Sequence, residues 1–495
     1  MIIFETQLKK LKYLVLKEVA EMTLENRLTK EELEKIPFDI IKSDRAEYRC
    51  CVYKERAIVY ERAKLAMGCL PNGQISEEFV NVENEDQIIY VIDAACDKCP
   101  INRFVVTEAC RGCIQHKCRE VCPAGSITTA GGRAYINHET CKECGLCKEV
   151  CPFSAVAEVM RPCRRVCPTG ALQMNPEDNK AQIAKEDCIN CGACMSACPF
   201  GAISDKSYIV DVTRDLMEKK KLYAVVAPSI TGQFGLNVKV GQIKEAFRRI
   251  GFLDMIEAAC GADVVAVHEG NELLERLEKG DKFMTNSCCP GFFGYIEKKF
   301  PELMDNVSDT VSPMIATGRM IKKMDKDAVV VFVGPCTAKK NEVKRPSVKD
   351  AVDYAMTFEE IVALMGAFKI SPEECEELEI KDASSFGRGF AQSGGVTAAI
   401  QNYAKDLDTH IEFKPVRANG PDEIKRTMIM AKVGRLSGNF IEGMMCEGGC
   451  VGGPATMVPM TKAKAQLSKF TKESPAKDVI ENEYLERFEG INLNR

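Results

Sequence analysis

Cysteine is the residue that most constrains this chain. Sixteen of its 26 cysteines fall between Cys96 and Cys198. Cysteines at this density form disulfides in secreted proteins and metal or catalytic sites in other proteins. The first residues combine acids with a helical apolar period, unlike a secretory signal, and no apolar run has the length of a membrane span. The sequence therefore predicts a cytoplasmic chain whose cysteines bind metal.

The spacing of these cysteines indicates which metal centre they hold. Two segments, 141–152 and 188–199, have the pattern C-x2-C-x2-C-x3-C-P. This is the bacterial ferredoxin run, in which three thiolates bind one [4Fe–4S] cluster and the fourth binds its neighbour. Residues 110–123 form a third copy with one wider gap, and Cys163 with Cys167 forms the second half of a fourth. The repeat predicts an internally duplicated, ferredoxin-like α+β domain rather than a zinc ribbon, which has separated CxxC pairs.

Exchange of the fourth thiolate between neighbouring copies predicts a ligand set for each cluster. The first set is Cys110, Cys113, Cys118 and Cys151; the second is Cys141, Cys144, Cys147 and Cys122; the third is Cys188, Cys191, Cys194 and Cys167. Cys163 and Cys198 remain, and Cys96 and Cys99 are expected to complete a fourth cluster with them. In the alternative there are three clusters, and Cys96 and Cys99 are structural.

Length and composition suggest how the rest of the chain is divided. A chain of 495 residues is long enough for several domains, and its net charge of −5 gives no reason to expect nucleic acid as a partner. We expect a helical N-terminal region of unknown role over 1–90, with Cys50, Cys51 and Cys69 in its core or in local packing. The ferredoxin-like domain covers 91–205. An α/β catalytic domain follows over 206–455, beginning with a helical connector, and a short C-terminal helical tail covers 456–495.

The α/β assignment rests on three apolar runs of strand length, 223–227, 329–333 and 352–356. The third run precedes TFEE, in which Thr357 and Glu360 have the spacing of a helix capping box. The first two runs end in the loops APSI and GPC. Loops at the carboxyl ends of strands are where open α/β sheets carry their sites.

Three segments of this domain bring cysteines into loops with glycine or proline: TNSCCPGF (285–292), GPCTAKKNE (334–342) and EGMMCEGGCVGGP (442–454). Four thiolates from such distant segments are able to hold one more [4Fe–4S] cluster. The adjacent Cys288 and Cys289 do not easily point at one site, so we expect one to be a ligand and the other to face elsewhere. Taken alone, these segments predict a metal site in an α/β domain.

In this order, behind ferredoxin motifs, the three segments resemble the signature motifs of the [FeFe]-hydrogenases. The resemblance covers about 205–455 for the catalytic domain and 105–200 for the ferredoxin part. It implies the reversible conversion of protons and electrons to H2 at an H-cluster, a [4Fe–4S] cluster bridged to a diiron subsite with CO, cyanide and azadithiolate. It also implies three to four accessory [4Fe–4S] clusters, a ferredoxin-like electron carrier, and maturation proteins for the diiron subsite.

The resemblance also implies roles for individual residues. The ligands of the cubane part are Cys289, Cys336, Cys446 and Cys450, with Cys450 also bridging to the diiron subsite. Cys288 matches the thiol that passes protons to the bridging amine, and Lys339 matches the residue that binds a cyanide. Pro228 and Ser229 match the loop at the other cyanide, and Met444 matches a methionine packed over the diiron subsite.

Protons need a relay of titratable groups to reach a buried cluster. The segment HEGNE (268–272) resembles the family segment that carries two relay glutamates, here Glu269 and Glu272, and Ser308 resembles the serine between them. At positions i and i+3 the two glutamates share a helix face. The alternative is that they form a solvated face with no role in proton transfer.

Four residues depart from the usual motifs: Asn286 precedes the Ser-Cys-Cys, Phe292 replaces a tryptophan, Gly334 replaces a methionine, and Met314 replaces a glutamine. With the extra cluster motifs, these changes resemble the group B branch of the family. Two alternative functions remain. A hydrogen sensor usually has an added signalling domain and lacks the proton-transfer cysteine, and a non-catalytic iron–sulfur scaffold is expected to lack the equivalents of Cys288 and Lys339.

Overall fold

A computed structural model describes residues 4–73, 87–97, 99–100, 102–405 and 410–495. The chain begins with three helices, which are α1 Gln7–Leu24, α2 Lys30–Ile40 and α3 Val52–Ala66. Threonine starts the first two, because the Thr6 side chain accepts a hydrogen bond from the Lys9 amide and the Thr29 side chain accepts one from the Glu32 amide. The helical N-terminal region is therefore present as expected. Cys50 and Cys51, however, are exposed rather than in its core.

The cysteine-rich segment consists of very short elements. In chain order they are β1 Ile89–Val91, β2 Phe104–Val106, α4 Lys117–Glu120, β3 Ile127–Ala130, β4 Arg133–Ile136, α5 Leu146–Glu149, β5 Val156–Glu158, α6 Pro162–Arg165, β6 Leu172–Met174, β7 Ala181–Ile183, α7 Ala193–Ala197 and β8 Ile203–Asp205. The strands pair antiparallel as β1–β8, β2–β5, β3–β4 and β6–β7. Because these strands and helices are so short, the cysteines determine how the segment is arranged.

The α/β part is built from longer elements. They are α8 Ile209–Met217, β9 Lys221–Val226, α9 Val240–Ile250, β10 Asp254–Glu257, α10 Ala258–Glu278, β11 Met284–Thr285, α11 Pro290–Lys299, α12 Pro313–Met324, β12 Ala328–Gly334, α13 Thr337–Glu342, β13 Tyr354–Thr357, α14 Phe358–Ala367, α15 Ser385–Gly389, α16 Gly395–Ala404, β14 Pro415–Asn419, α17 Pro421–Lys432, β15 Phe440–Met444 and α18 Met460–Lys472. One parallel sheet has the order β10-β9-β12-β13 and a second has the order β11-β15-β14.

The sequence patterns explain the larger sheet. The apolar run of β12 is buried almost throughout, as expected for a central strand of a parallel sheet covered on both faces. The predicted runs 223–227 and 329–333 fall on β9 and β12, and α8 is the expected connector. The third run is displaced, because Val352 precedes strand β13. The predicted capping box is present: the Thr357 hydroxyl accepts from the Glu360 amide, and the Glu360 carboxylate accepts from the Thr357 amide.

The N-terminal helices pack on the α/β part through buried charges. On α1, Lys12 Nζ lies 2.9 Å from Glu359 Oε2 on α14, and both side chains are buried. On α13, Lys340 Nζ lies 2.7 Å from Asp205, at the end of β8, and 2.7 Å from Glu360. Ion pairs therefore join the N-terminal helices, the cysteine-rich segment and the α/β part at one junction.

The segment after residue 455 is more than a helical tail. Helix α18 is followed by irregular chain that returns to the α/β part, where the Val311 amide donates to the Leu493 carbonyl at 2.8 Å. The guanidinium of Arg495 reaches the Ser287 carbonyl at 2.8 Å. No helix among the described residues is long and apolar enough to cross a membrane.

Candidate metal centre

The carboxyl ends of the parallel strands meet around one cavity, as expected for sites in open α/β sheets. Strand β9 leads to Pro228, β12 leads to Cys336, and β15 leads to Cys446. The cavity has a volume of about 100 Å³. Of the residues predicted for the site, it is lined by Pro228, Cys288, Cys289, Cys336, Lys339, Met444, Cys446 and Cys450. Ser229 is fully buried beside Pro228 but does not line the cavity.

Four thiols of this cavity interact electrostatically with one another. Burial raises the pKa of Cys336 to about 11 and that of Cys450 to about 12, and in both cases the nearby Cys289 adds to the rise. The pKa of Cys446 is raised by burial and then by Cys336, Cys289 and Cys450. Such thiols stay protonated unless a metal displaces their protons.

Four soft sulfur donors in an enclosed, largely apolar cavity are the donor set of a [4Fe–4S] cluster. The remaining wall of the cavity comes from side chains such as Ala227, Phe332 and Met445. Within the described parts of the chain, no three His, Cys, Asp or Glu side chains are arranged to hold a single metal ion. The residues present therefore fit a cluster.

Cys288 and Cys289 both line the cavity. The expectation that only one of them is a ligand stays a prediction. Their surroundings nevertheless differ. Cys289 is the residue before α11 and lies near the other three thiols. The Cys288 Sγ accepts a hydrogen bond from Asn286 Nδ2 at 3.2 Å and lies near Glu269. Cys288 therefore stands between the cavity and the predicted relay.

Lys339 is held by a buried ion pair. Its Nζ donates to Glu342 Oε2 at 2.6 Å, one turn further along α13, and to the Cys288 carbonyl at 3.3 Å. The other oxygen of Glu342 lies 3.5 Å from the guanidinium of Arg495. Arg495 also stacks on Phe293, with 4.4 Å between the guanidinium carbon and the ring centroid. The ammonium is thus fixed at the cavity wall.

The predicted relay residues come together on and beside α10. Ser308 Oγ donates to Glu272 Oε2 at 2.6 Å and also interacts with Glu269. The Ser287 amide donates to Glu269 Oε1 at 3.3 Å. Glu269 is 0% exposed, and burial, followed by the charge of Glu272, raises the pKa of Glu269 to about 8. This burial contradicts the alternative of a solvated helix face.

The four departures from the usual motifs all contact the site or its support. Asn286 Oδ1 accepts from the Gly443 amide at 2.8 Å, next to Met444. The Phe292 ring fills the space beside Gly443, and Met314 lines the cavity. At Gly334, an added Cβ would lie 2.7 Å from the ring of Phe332. Phe332 therefore occupies part of the space that a longer side chain at position 334 would need.

Most thiols of the predicted accessory ligand sets lie near other members of their own set. Burial, followed by Cys198, Cys99 and Cys96, raises the pKa of Cys163 to about 11. These four thiols, which are the ones left over from the ferredoxin pattern, therefore lie close together. A second small cavity is lined by Cys122, Cys141, Cys144 and Cys147. In the first set, Cys113 and Cys151 lie near Cys118. In the third set, Cys191, Cys188 and Cys167 lie near Cys194. The Cys110 Sγ accepts a hydrogen bond from the Ala134 amide.

The third ligand set adjoins the main cavity. Cys191 interacts electrostatically with Cys336 and with Cys446. The Thr337 hydroxyl donates to the Asn190 carbonyl at 2.7 Å and joins the two cysteine loops directly. These supporting contacts, with Glu342 and Arg495, were not predicted. Of these residues, only Glu342 was indicated by the sequence, since it follows Lys339 by one helical turn.

Comparisons with known proteins agree with this geometry. Residues 220–454 match the family model of the iron only hydrogenase large subunit, C-terminal domain. Residues 134–157 match a 4Fe-4S binding domain and 156–209 match the LdpA Fe-S cluster-binding domain. Iron hydrogenase 1 of Clostridium pasteurianum is 30% identical over 320 residues, which are 54% of this chain and 56% of that protein. The chain thus spans little more than half the length of this curated relative.

Two further matches are an iron–sulfur cluster assembly factor and a solved hydrogenase structure. The cytosolic Fe-S cluster assembly factor NAR1 of Meyerozyma guilliermondii is 26% identical over 41% of this chain and 41% of its own length. A structure of [FeFe]-hydrogenase HydA1 from Chlamydomonas reinhardtii has 22% identity and a TM-score of 0.47, and the match covers 56% of this chain and 92% of that one. Over residues 220–454, just under half of its length, the chain is therefore similar to the C-terminal domain of the iron-only hydrogenase large subunit.

Proposed function

We propose that this chain is an [FeFe]-hydrogenase of the group B type, which interconverts protons, electrons and H2. The observation that carries the proposal is the convergence of Cys289, Cys336, Cys446 and Cys450 with Cys288 and Lys339 on one buried cavity. A scaffold for iron–sulfur clusters needs the four ligands alone. A diiron subsite with anionic ligands also needs a proton-carrying thiol and a fixed cation.

An H-cluster bound here supplies the redox chemistry at iron, while the chain binds it and moves protons. The four thiolates would hold the cubane part of the group. Lys339, fixed by Glu342, presents ammonium donors to an anionic ligand, and Pro228 and Met444 exclude water from the remaining wall. Cys288 passes a proton to or from Glu269. Ser308 connects Glu269 to Glu272, because its hydroxyl interacts with both carboxyl groups.

Electrons are proposed to move through four accessory [4Fe–4S] clusters to a ferredoxin-like carrier. The third ligand set is the natural neighbour of the main cavity, because Cys191 interacts with Cys336 and Cys446. In full-length protein without the diiron subsite, five cubanes predict about 20 iron atoms per chain, and three accessory clusters predict about 16. Cys163→Ala is expected to remove about four, whereas Cys69→Ala, outside every ligand set, is expected to remove none.

Infrared spectroscopy of the anaerobically matured protein tests the main proposal. Bands of iron-bound CO and cyanide that shift under H2 are expected in the wild type and in Cys260→Ala, a buried cysteine outside the cavity that interacts with Thr317. They are expected to be absent in Cys450→Ala. Absence from wild type whose cubanes are full, while a known hydrogenase matures in parallel, would overturn the proposal.

The second candidate function is an iron–sulfur assembly scaffold, which the NAR1 match favours. It predicts full cubanes without CO or cyanide bands, and transfer of labelled iron–sulfur clusters to apoproteins. Bands that respond to H2 without measurable turnover would instead indicate a hydrogen sensor.

A further inference from the structure

We propose that His268 is the proton-exchange group at the outer end of the relay and acts through the hydroxyl of Thr310. The inference rests on the proposed function and adds two residues that the motifs do not include. His268 Nδ1 lies 2.9 Å from Thr310 Oγ1, and Thr310 Oγ1 donates to Glu272 Oε2 at 2.9 Å. Glu272 Oε2 therefore accepts a hydrogen bond from Thr310 on the outer side and another from Ser308, at 2.6 Å, on the inner side.

The other carboxyl oxygen of Glu272, Oε1, offers protons no route to the surface. Oε1 lies 2.7 Å from the guanidinium of Arg276 and accepts from the Asp309 amide at 2.9 Å. Arginine does not give up its proton in proteins, so Arg276 neutralises the carboxylate but does not carry protons. The guanidinium is further held by the carbonyls of Asp305, at 2.6 Å, and Val307, at 3.2 Å.

Thr310 needs a partner that exchanges protons with water. Its side chain is 0% exposed, and its amide is bound to Ser308 Oγ at 3.1 Å. His268 is only partly buried, and imidazole is the side chain that most readily gains and loses a proton near neutral pH. Position supports the connection, because His268 and Glu272 are four residues apart on α10 and share a face.

The hydrogen bond from Thr310 to Glu272 has the direction that inward transfer to Glu272 requires. Thr310 donates its proton to Glu272, so its lone pairs are free to accept from His268 Nδ1–H. Transfer then moves the Nδ1 proton to the threonine oxygen and the hydroxyl proton to Glu272, while Nε2 takes a proton from water. Outward transfer reverses each step, and no charge is left on Thr310.

The charged groups around this chain of hydrogen bonds come from three elements. Glu272 and Arg276 lie on α10 itself, and Asp309 lies on the facing loop, 3.0 Å from Arg276. The strand-like segment at the end of the chain contributes Arg495, whose amide donates to the Asp309 carbonyl at 2.9 Å. The carboxylates of Glu272 and Asp309 are both paired with Arg276.

Turnover of the matured protein is the first test. His268→Gln keeps a polar side chain but does not titrate, and we expect it to lower turnover about a hundredfold or more at neutral pH, within the range for a lost proton-transfer group. Thr310→Val is expected to do the same. The matched control is His138→Gln, an exposed histidine of the cysteine-rich segment, which is expected to behave as wild type. Added imidazole should restore His268→Ala but not Thr310→Val.

A second measurement does not depend on turnover. In protein with its [4Fe–4S] clusters but without the diiron subsite, ¹⁵N-labelled histidine gives four side chains to observe. The signal lost in His268→Gln identifies His268, and its Nδ1 resonance should shift in Thr310→Val. An unchanged Nδ1 resonance, or wild-type turnover and pH profile in His268→Gln, would overturn this inference. Missing CO and cyanide bands in the wild type would instead overturn the proposed function and leave the resonance test valid.

Discussion

The cysteine-rich segment and the α/β part hold their thiols in opposite ways. In the first, most of the predicted ligand sets come from copies of one short motif, and the Cys144 thiol is exposed. In the second, the thiols follow strands that are far apart in sequence, and all of them line one cavity. The first arrangement depends on spacing, whereas the second depends on the whole fold.

The two parts also differ in how they support charge. The cysteine-rich segment carries exposed pairs such as Lys148 and Glu158, 2.8 Å apart. The α/β part buries pairs such as Arg388 and Glu257, 2.8 Å apart, with the arginine 1% exposed. Buried pairs are costly to separate, because removing one partner leaves an unpaired charge away from water. The comparison predicts that substitutions around the main cavity have wide effects and that those in the cysteine-rich segment have local ones.

The largest difference is expected between two cysteines. Cys450→Ala should abolish H2 turnover and the CO and cyanide bands, because it removes a ligand shared by both parts of the proposed cluster. Cys144→Ala should remove about four iron atoms per chain and keep the bands. Infrared spectra and iron analysis of both variants measure the contrast. Loss of the bands in Cys144→Ala would show that the two parts are not independent.

The buried relay should contribute to the pH dependence of stability. Glu269 has an ordinary pKa of 4.5 that is raised to about 8. The folded protein keeps a proton that the unfolded chain releases, so the free energy of unfolding falls as the pH rises from about 4.5 to about 8, by about 1.4 kcal/mol per pH unit.

Glu269→Gln should make this fall less steep and make the variant more stable than wild type near pH 8; Glu257, whose pKa burial raises to about 7, still contributes to the fall. Unfolding midpoints measured across this pH range provide the test. Glu158→Gln, in the cysteine-rich segment, should leave the slope unchanged. An equal slope in wild type and Glu269→Gln would contradict the buried, protonated state of Glu269.

The ion pair at Lys339 should matter next. Glu342→Ala leaves two buried cations without their carboxylate, and we expect it to lower the free energy of unfolding by about 3–5 kcal/mol. Glu158→Ala breaks an exposed pair and should change little. Denaturant titrations of both variants, with their clusters in place, measure the difference. Equal stability of the two variants would mean that water reaches the Lys339 pair.

The smallest effect concerns the contact between the two parts. Gly192 and Gly170 both have left-handed φ angles, +75° and +74°. A Cβ at Gly192 would lie 2.6 Å from Thr337 Oγ1, whereas nothing lies within 4 Å of one at Gly170. Gly192→Ala should therefore be less stable than Gly170→Ala by about 1–3 kcal/mol. It should also slow reduction of the main cluster from the accessory ones. Equal stability of the two variants would mean that the strain comes from the left-handed φ angle alone and not from the contact with Thr337.

The sequence predicts more where structure is local. The accessory ligand sets follow from motif spacing, and the capping box at Thr357 follows from two residues. The loops after β9 and β12 were located because apolar runs end there. Contacts between distant segments had no such pattern. Nothing near Arg495 indicates that it reaches Ser287 and Glu342, and nothing near Gly334 indicates that Phe332 fills the space beside it.

The junction at α1 has a practical consequence for anyone who wishes to shorten this chain to a minimal hydrogen-producing catalyst. Deleting α1 would remove Val15 and Val19, both fully buried, would uncover the part of α14 against which α1 packs, and would strip Glu359 of its lysine. The next residue, Glu360, holds Lys340 beside the proposed cyanide-binding lysine. A trimmed protein would therefore expose an apolar surface and loosen a wall of the main cavity, even though no removed residue lines that cavity.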